Sequence, residues 1–141
     1  MQKILLADDE RDVRSLLQAE LEGAGYRVTA VATGAEAVIA AADGGFDLYL
    51  LDMMMPGMNG VQTIQVLRKI TPKVPILGLT GYTGQGYMAQ ASAYNVTCLA
   101  KPIDINDLLG EIKLKLANAA RVATPTTTGS TPVASRFGRA G

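Results

Sequence analysis

The sequence contains no histidine, and Cys98 is its only cysteine. A disulfide between two parts of this chain is therefore excluded. Zinc sites built from Cys and His ligands are excluded as well, and so is any catalytic triad that depends on histidine. A metal ion held by oxygen ligands is still compatible with the composition.

Long apolar runs are also lacking. No segment approaches the roughly 20 consecutive apolar residues that are needed to cross a bilayer. The first apolar segment ends at Asp8 and is too short for the hydrophobic region of a secretory signal peptide. We therefore expect a soluble, cytoplasmic protein with no membrane partner.

An excess of positive charge is missing too. Thirteen basic and thirteen acidic residues cancel, but Arg121, Arg136 and Arg139 lie near the C-terminus without any acid beside them. Residues 1–120 thus carry ten basic and thirteen acidic residues, a net charge of −3. This part has no basic patch of the kind that binds nucleic acids, so we expect no direct nucleic-acid partner.

The length of 141 residues and the hydrophobic content of 48% suit one domain followed by a tail. We place the domain at residues 1–120. Residues 121–141 include a segment rich in Thr, Pro, Gly and Ser, which cannot bury enough apolar surface to offset the entropy lost on ordering. We expect this tail to be a linker or a disordered end, with order fading from Asn118.

Apolar segments of strand length alternate with segments of helical periodicity. Strands are predicted at residues 3–7, 26–32, 46–51, 74–80 and 96–100, each followed by a helix. Parallel neighbours need helical crossovers, so this order predicts an α/β fold with a five-stranded parallel sheet and helices on both faces.

Three helix starts carry capping residues, and one helix is poorly supported. Thr33 and Glu36 have the spacing of a capping box, and Asn59 and Asp104 are further candidate caps. The helix predicted over residues 81–95 contains Gly84 and Gly86, each of which costs about 1 kcal/mol relative to Ala in a helix interior. We expect that helix to start late or to fray.

Polar residues follow four of the predicted strands. Asp8 and Asp9 follow the first, Asp52 the third, Thr80 the fourth and Lys101 the fifth. The carboxyl ends of parallel strands share one edge of the sheet, where open α/β folds bind ligands. Two carboxylates ~4 Å apart repel by roughly 4 kcal/mol at an effective dielectric constant near 20. Such a cluster calls for a hard divalent cation, and Mg²⁺ suits it.

Each of these residues also has an ordinary structural interpretation. Asp8 and Asp9 could cap the first helix, Thr80 could be a simple strand residue, and Lys101 could be an exposed lysine before a turn. Their joint occurrence at four strand ends favours a functional site.

The motifs together resemble the receiver domain of two-component response regulators. They are Asp8-Asp9-Glu10 after an apolar strand, the segment from Leu51 to Gly60, Leu79-Thr80-Gly81 and Lys101-Pro102. The likeness covers residues 1 to about 120. It implies a doubly wound (βα)5 fold of the flavodoxin and CheY-like type with strand order 2-1-3-4-5.

The resemblance implies a phosphorylation switch centred on Asp52. This residue would be the nucleophile that takes a phosphoryl group from a histidine kinase or a phosphotransfer protein. Asp9, Asp52 and the backbone carbonyl of Met54 would ligate Mg²⁺ directly, and Asp8 would act mainly through a metal-bound water.

The same resemblance implies roles for the residues on the fourth and fifth strands. Lys101 would pair with one phosphoryl oxygen, and Thr80 would move to hydrogen-bond another. The Lys101–Pro102 peptide bond would be cis. Cys98 stands where the family commonly has an aromatic residue that follows the threonine movement, so we expect the signal to be expressed instead by the loop and helix after Thr80. Partner binding would change there, in a monomer or a phosphorylation-dependent dimer.

Several alternatives stay open beside a single-domain switch that turns over no external substrate. The chain could be a module of a longer response regulator or hybrid kinase. A flavodoxin-like protein binding FMN or a nucleotide is disfavoured, because the acids after the first strand would repel a phosphate. A Mg²⁺-dependent phosphatase with an aspartyl intermediate would need a second acid where Met54 stands.

Overall fold

The computed structural model of the protein describes residues 1–81, 90 and 92–123. Within these residues, strands and helices alternate from the N-terminus as far as the fourth strand. In chain order they are β1 (Lys3–Ala7), α1 (Arg11–Gly23), β2 (Arg27–Val31), α2 (Gly34–Ala42), β3 (Leu48–Asp52), α3 (Gly60–Ile70), β4 (Ile76–Thr80), β5 (Thr97–Ala100) and α4 (Ile105–Ala123).

The five strands form one parallel sheet in the order β2-β1-β3-β4-β5. In the central pairing, Ala7 of β1 lies opposite Leu51 of β3. On the other side of β3, Asp52 lies opposite Leu79 of β4. The predicted doubly wound α/β fold and its strand order are confirmed.

Helices cover both faces of the sheet. Leu5 and Leu51 belong to a core that includes residues of α2 and α3. Ile4 and Leu50, their strand neighbours, belong to a second core with residues of α1 and α4. Alternate strand residues thus enter opposite cores, so the strands appear in the sequence as continuous apolar runs. Full burial of each of these side chains contributes about 1.5–3 kcal/mol.

Side chains cap three of the helices where the sequence predicts. The Thr33 hydroxyl accepts a hydrogen bond from the Glu36 amide at 3.0 Å. Asn59 and Gln62 form a reciprocal capping box at the start of α3. Asp104 accepts from the amides of two residues in the first turn of α4. Caps of this kind stabilise a helix by about 1 kcal/mol each.

The C-terminal helix is longer than the sequence predicts. It continues past Asn118 to Ala123. Its residues Leu108, Ile112 and Leu116 are buried in the core shared with α1, and this anchored stripe supports the helix up to its last turns. Order therefore extends beyond Asn118, contrary to the expectation from the composition.

Two sequence predictions fall largely outside the described residues. They are the helix between β4 and β5 and the tail beyond residue 123, so the division into residues 1–120 and 121–141 stays a prediction. Within the part of the chain that the structure describes, no helix combines the length and hydrophobicity that a bilayer span requires.

Candidate functional site

The polar residues predicted to form a site converge at the carboxyl edge of the sheet. Asp52 ends β3 and Thr80 ends β4, and Asp8 and Lys101 directly follow β1 and β5. Backbone hydrogen bonds continue the sheet past these ends. The Lys101 amide donates to the Thr80 carbonyl at 2.8 Å, and the amide of Asp8 donates to Val31 at 3.1 Å. The sheet itself therefore fixes the spacing of the site residues.

Asp52 is a buried carboxylate with two different contacts. Its side chain is 4% exposed. One oxygen, Oδ1, accepts a hydrogen bond from the Met54 amide at 3.0 Å. The other, Oδ2, accepts from the Lys101 ammonium at 3.3 Å. Both oxygens are thus held by donors on different elements, which fixes the orientation of the group.

Burial raises the pKa of Asp52 from its ordinary value of 3.8 to about 6. The Met54 amide opposes this rise, the neighbouring charge of Asp8 adds to it, and Lys101 opposes it. The ionised carboxylate is therefore held in surroundings that disfavour its charge. A further cation at this position would relieve that cost.

Lys101 supplies the positive charge of the site. Its ammonium lies 3.0 Å from Asp8 Oδ2, 3.2 Å from Glu10 Oε1 and 3.3 Å from Asp52 Oδ2. Burial lowers the pKa of Lys101, but its contacts with the three carboxylates outweigh burial and raise it above the ordinary value. The lysine is therefore a permanent cation shared by three acids.

Asp8 contributes a fully buried carboxylate whose two oxygens have different contacts. Its Oδ1 accepts from the Glu10 amide at 2.9 Å. Its Oδ2 is buried and has no partner in hydrogen-bond geometry, although it is in ion-pair contact with Lys101. Among buried groups such an oxygen is unusual and calls for an explanation such as a bound ion.

A divalent cation fits this donor set. One carboxylate oxygen from each of Asp8, Glu10 and Asp52 lies within 4.8 Å of the other two. Hard oxygen ligands of this kind suit Mg²⁺, which takes a few carboxylates and completes its shell with water and phosphate oxygens. The unsatisfied Oδ2 of Asp8 points to the same conclusion.

The structure groups the acids differently from the sequence prediction. Asp9, predicted as a direct ligand, is exposed and does not belong to the group of three. Glu10 is the third member of that group, and ligation by Asp9 stays a prediction. Met54 contributes its amide to Asp52, and ligation by its carbonyl stays a prediction.

Glu10 is the site residue that the sequence reasoning missed. The motif Asp8-Asp9-Glu10 contains it, but the resemblance implies no role for it. The available signal was its position just before α1, where a glutamate is a poor helix cap and its longer side chain can reach beyond the aspartates.

Thr80 and the residues beside it occupy the predicted places. Thr80 is fully buried and lies opposite Ala100 of β5. The Lys101–Pro102 peptide is cis, as the resemblance implies. A Cβ on Gly81 would contact the side chain of Lys101 at 3.6 Å, an ordinary van der Waals distance. The loop after Thr80 therefore begins directly beside the lysine.

Cys98 fills the position that is commonly aromatic in the family, and it packs against β4. A Cβ on Gly78 would lie 2.5 Å from Cys98 Sγ and 3.1 Å from Met53 Sδ. The glycine at position 78 thus allows a close approach to the backbone of β4, and sulfur atoms occupy the space. Burial raises the pKa of the Cys98 thiol, which keeps it protonated at neutral pH and suits a packing role.

Comparisons with known proteins place this geometry in a family. The family model of the response regulator receiver domain matches residues 4–113. The chain is 35% identical to the response regulator receiver protein CpdR of Brucella abortus over 120 residues, which cover 84% of this chain and all of CpdR. It is 37% identical over 118 residues to YkoG of Bacillus subtilis, described as an uncharacterized transcriptional regulatory protein. That match covers 80% of this chain, which spans about half the length of YkoG.

Solved structures show the same likeness. Chemotaxis protein CheY4 of Vibrio cholerae has a TM-score of 0.75 and 31% identity, with 82% of this chain and 98% of that chain covered. Response regulator TrrA of Thermotoga maritima, solved in complex with Mg²⁺ and BeF, has a TM-score of 0.74 and 31% identity, with 81% and 98% covered. The fold, the edge of acids with one lysine, and these matches agree: the chain belongs to the response regulator receiver domain family of two-component signalling.

Proposed function

We propose that Asp52 is the phosphoacceptor of this receiver domain and that the reaction requires Mg²⁺. One observation carries the proposal. The Asp52 carboxylate is buried at a strand end, oriented by the Met54 amide, and faces the ammonium of Lys101 at 3.3 Å. A nucleophile and the cation that would neutralise a phosphoryl oxygen are thus already adjacent.

The transfer itself needs little from the protein besides position and charge. An oxygen of Asp52 attacks the phosphorus of a phosphohistidine on a histidine kinase or a phosphotransfer protein. The P–N bond breaks, its electron pair returns to the imidazole nitrogen, which takes up a proton, and Asp52 becomes an acyl phosphate. A carboxylate needs no general base for this attack, so the absence of histidine in the chain is no obstacle.

Charge neutralisation is the main contribution of the remaining site residues. Lys101 would pair with one phosphoryl oxygen, and the Thr80 hydroxyl would donate a hydrogen bond to another. Bound Mg²⁺ supplies further neutralisation of these oxygens. Asp8 and Asp52 would hold it, with Asp9 and the Met54 carbonyl as the predicted further ligands. TrrA, solved with Mg²⁺ and BeF, is a relative of this fold that supports the assignment.

The output would be a change in partner binding at Thr80 and at the segment after it, for which the sequence predicts a loop and a helix. We propose a signalling switch that is phosphorylated on itself and turns over no external substrate, acting in the cytoplasm as a monomer or a phosphorylation-dependent dimer. Residues 1–120 would not bind nucleic acid directly, since their net charge is negative. A DNA titration of this segment, with salt dependence, tests that part.

Incubation with Mg²⁺ and acetyl phosphate tests the central claim. We expect intact-protein mass spectrometry to show the addition of one phosphoryl group, which the substitution Asp52→Asn abolishes. Asp43→Asn is the control, because it removes an exposed carboxylate beside the C-terminus of α2. Phosphorylation at another residue, or modification without Mg²⁺ at the same rate, would contradict the assignment.

Two other readings would be recognised in the same experiment. Continued hydrolysis of acetyl phosphate over many turnovers would indicate an aspartyl phosphatase. Purified protein that carries a flavin would indicate a cofactor-binding protein of similar fold. Either outcome would replace the phosphorylation switch.

A further inference from the structure

Glu10 precedes α1 but does not cap it. At this N-cap position the side chain makes no capping hydrogen bond. Its Oε1 instead accepts from the Lys101 ammonium at 3.2 Å, across 91 positions of sequence. The Glu10 side chain therefore does not cap the helix that follows it and instead contacts the cation of the site, which is distant in sequence.

The backbone around Glu10 fixes where this side chain begins. Its amide donates to Asp8 Oδ1 at 2.9 Å, and its carbonyl accepts from the Arg14 amide at 2.9 Å. The guanidinium of Arg14 also donates to the Asp8 carbonyl at 2.8 Å. The aspartate that contacts Lys101, Asp8, thus also holds the turn between β1 and α1. This turn places Glu10 beside the lysine.

We propose that Glu10 is a positioning residue, which holds Lys101 in the unphosphorylated site and is exchanged for a phosphoryl oxygen when Asp52 is modified. This inference rests on the proposed function. In the described site the ammonium contacts three carboxylates within 3.3 Å. Two of these contacts, to Glu10 and Asp52, are hydrogen bonds, and the third, to Asp8, is an ion pair. Because the three acids surround the same ammonium, an incoming phosphoryl oxygen competes with them for it, and we expect it to displace one.

The solvent exposure of the three carboxylates indicates which of them loses its contact with Lys101. The side chains of Asp8 and Asp52 are 0% and 4% exposed, whereas that of Glu10 is 62% exposed. A carboxylate released into water is solvated at once, but a buried one that loses its cation keeps an uncompensated charge. Asp52 is also the residue that carries the phosphoryl group. Glu10 is therefore the partner that Lys101 gives up.

Competition for the lysine has a kinetic consequence. Glu10 occupies Lys101 before the phosphodonor arrives, so it raises the donor concentration needed for half-maximal phosphorylation. Without the contact that concentration falls by about 2- to 5-fold, the size expected for a partly exposed ion pair. The rate at saturating donor stays the same, because Lys101 is then engaged with the phosphoryl group in both proteins.

Three variants separate the contact from the charge. Glu10→Gln removes the charge and keeps the shape. Glu10→Asp keeps the charge but is one methylene shorter, and it can cap α1 instead of reaching Lys101. Asp12→Asn removes an exposed charge from the first turn of α1, and Asp12 is not among the three acids that form ion pairs with Lys101. The measurement is the rate of Asp52 phosphorylation against acetyl phosphate concentration at saturating Mg²⁺, together with the Mg²⁺ concentration for half-maximal rate.

We expect both Glu10 variants to lower the half-saturating donor concentration and Asp12→Asn to leave it unchanged. Suppose that Asp12→Asn lowers the half-saturating donor concentration as much as Glu10→Gln does, while Glu10→Asp behaves like the wild type. The change would then come from the loss of a negative charge near the site and not from the contact with Lys101, and the proposal would be wrong. If Glu10→Gln mainly raises the Mg²⁺ requirement, Glu10 is a metal ligand and the proposal is equally wrong. Failure of the wild-type protein to become phosphorylated would instead contradict the proposed function.

Discussion

Replacing Asp52 by asparagine should stabilise the metal-free protein at neutral pH. The pKa of Asp52 is raised from 3.8 to about 6, mainly by burial. A group whose pKa is higher in the folded state contributes stability below its unfolded pKa and loses it as the pH rises through the folded pKa. The wild-type protein thus loses stability between about pH 4 and about pH 6.

The size of the effect follows from the same values. A pKa raised by about 2 corresponds to ~3 kcal/mol of unfolding free energy, at about 1.36 kcal/mol for each tenfold change in proton affinity. Asparagine cannot ionise, so Asp52→Asn avoids this loss. The amide also directs an N–H toward Lys101 in one of its orientations, which offsets part of the gain. We expect a net stabilisation of about 2 kcal/mol at pH values above 7.

Urea unfolding in the presence of a chelator measures this difference from about pH 4 to about pH 8. We expect the free energy of unfolding of Asp52→Asn, minus that of the wild type, to increase through this pH range and to level off above pH 7. Asp43→Asn is the matched control, since it removes an exposed carboxylate. A variant no more stable than the wild type at pH 8, or a difference independent of pH, would refute the assignment of a strained carboxylate.

Four further measurements examine the site and the residues packed beside it. Excess Mg²⁺ should raise the free energy of unfolding of the wild type, by about 2.7 kcal/mol at 100 times the dissociation constant, but much less in Asp52→Asn; equal shifts would place the metal elsewhere. Lys101→Met should leave buried carboxylates uncompensated and cost roughly 3–5 kcal/mol without metal, and added Mg²⁺ should restore part of that loss. Gly81→Ala should stabilise by about 0.4–1 kcal/mol, because the new methyl group fits beside Lys101 and the unfolded chain loses freedom; destabilisation would show that the loop needs glycine. Gly78→Ala should destabilise by about 1–3 kcal/mol in thermal unfolding, since Cys98 Sγ occupies the required space, and a neutral result would contradict the packing.

The sheet and the position of the site were predictable from local sequence patterns. Each buried strand is a short apolar run, and the first polar residue after it marks the strand end. A parallel sheet brings those ends to one edge, so Asp8, Asp52 and Lys101 had to converge once the topology was known.

The partners of individual side chains were less predictable. Whether Glu10 caps α1 or reaches Lys101 depends on a residue 91 positions away. The grouping of Asp8 with Glu10, and the exposed place of Asp9, follow from the turn geometry between β1 and α1. The extent of α4 likewise depends on where its buried stripe meets the sheet, which composition near the C-terminus does not reveal.

The proposed requirement for a metal is supported by the same burial that makes Asp52 costly to ionise. Solvent is largely excluded from Asp52 and Asp8, so their mutual repulsion is weakly screened. Among the described residues, Lys101 is the cation that forms ion pairs with these three carboxylates, which leaves the group of Asp8, Glu10 and Asp52 with a net negative charge. An anionic phosphodonor approaching this edge meets that charge unless a divalent cation is bound. Phosphorylation of Asp52 and cation binding should therefore be coupled, each favouring the other, so that Mg²⁺ affinity rises in the phosphorylated protein.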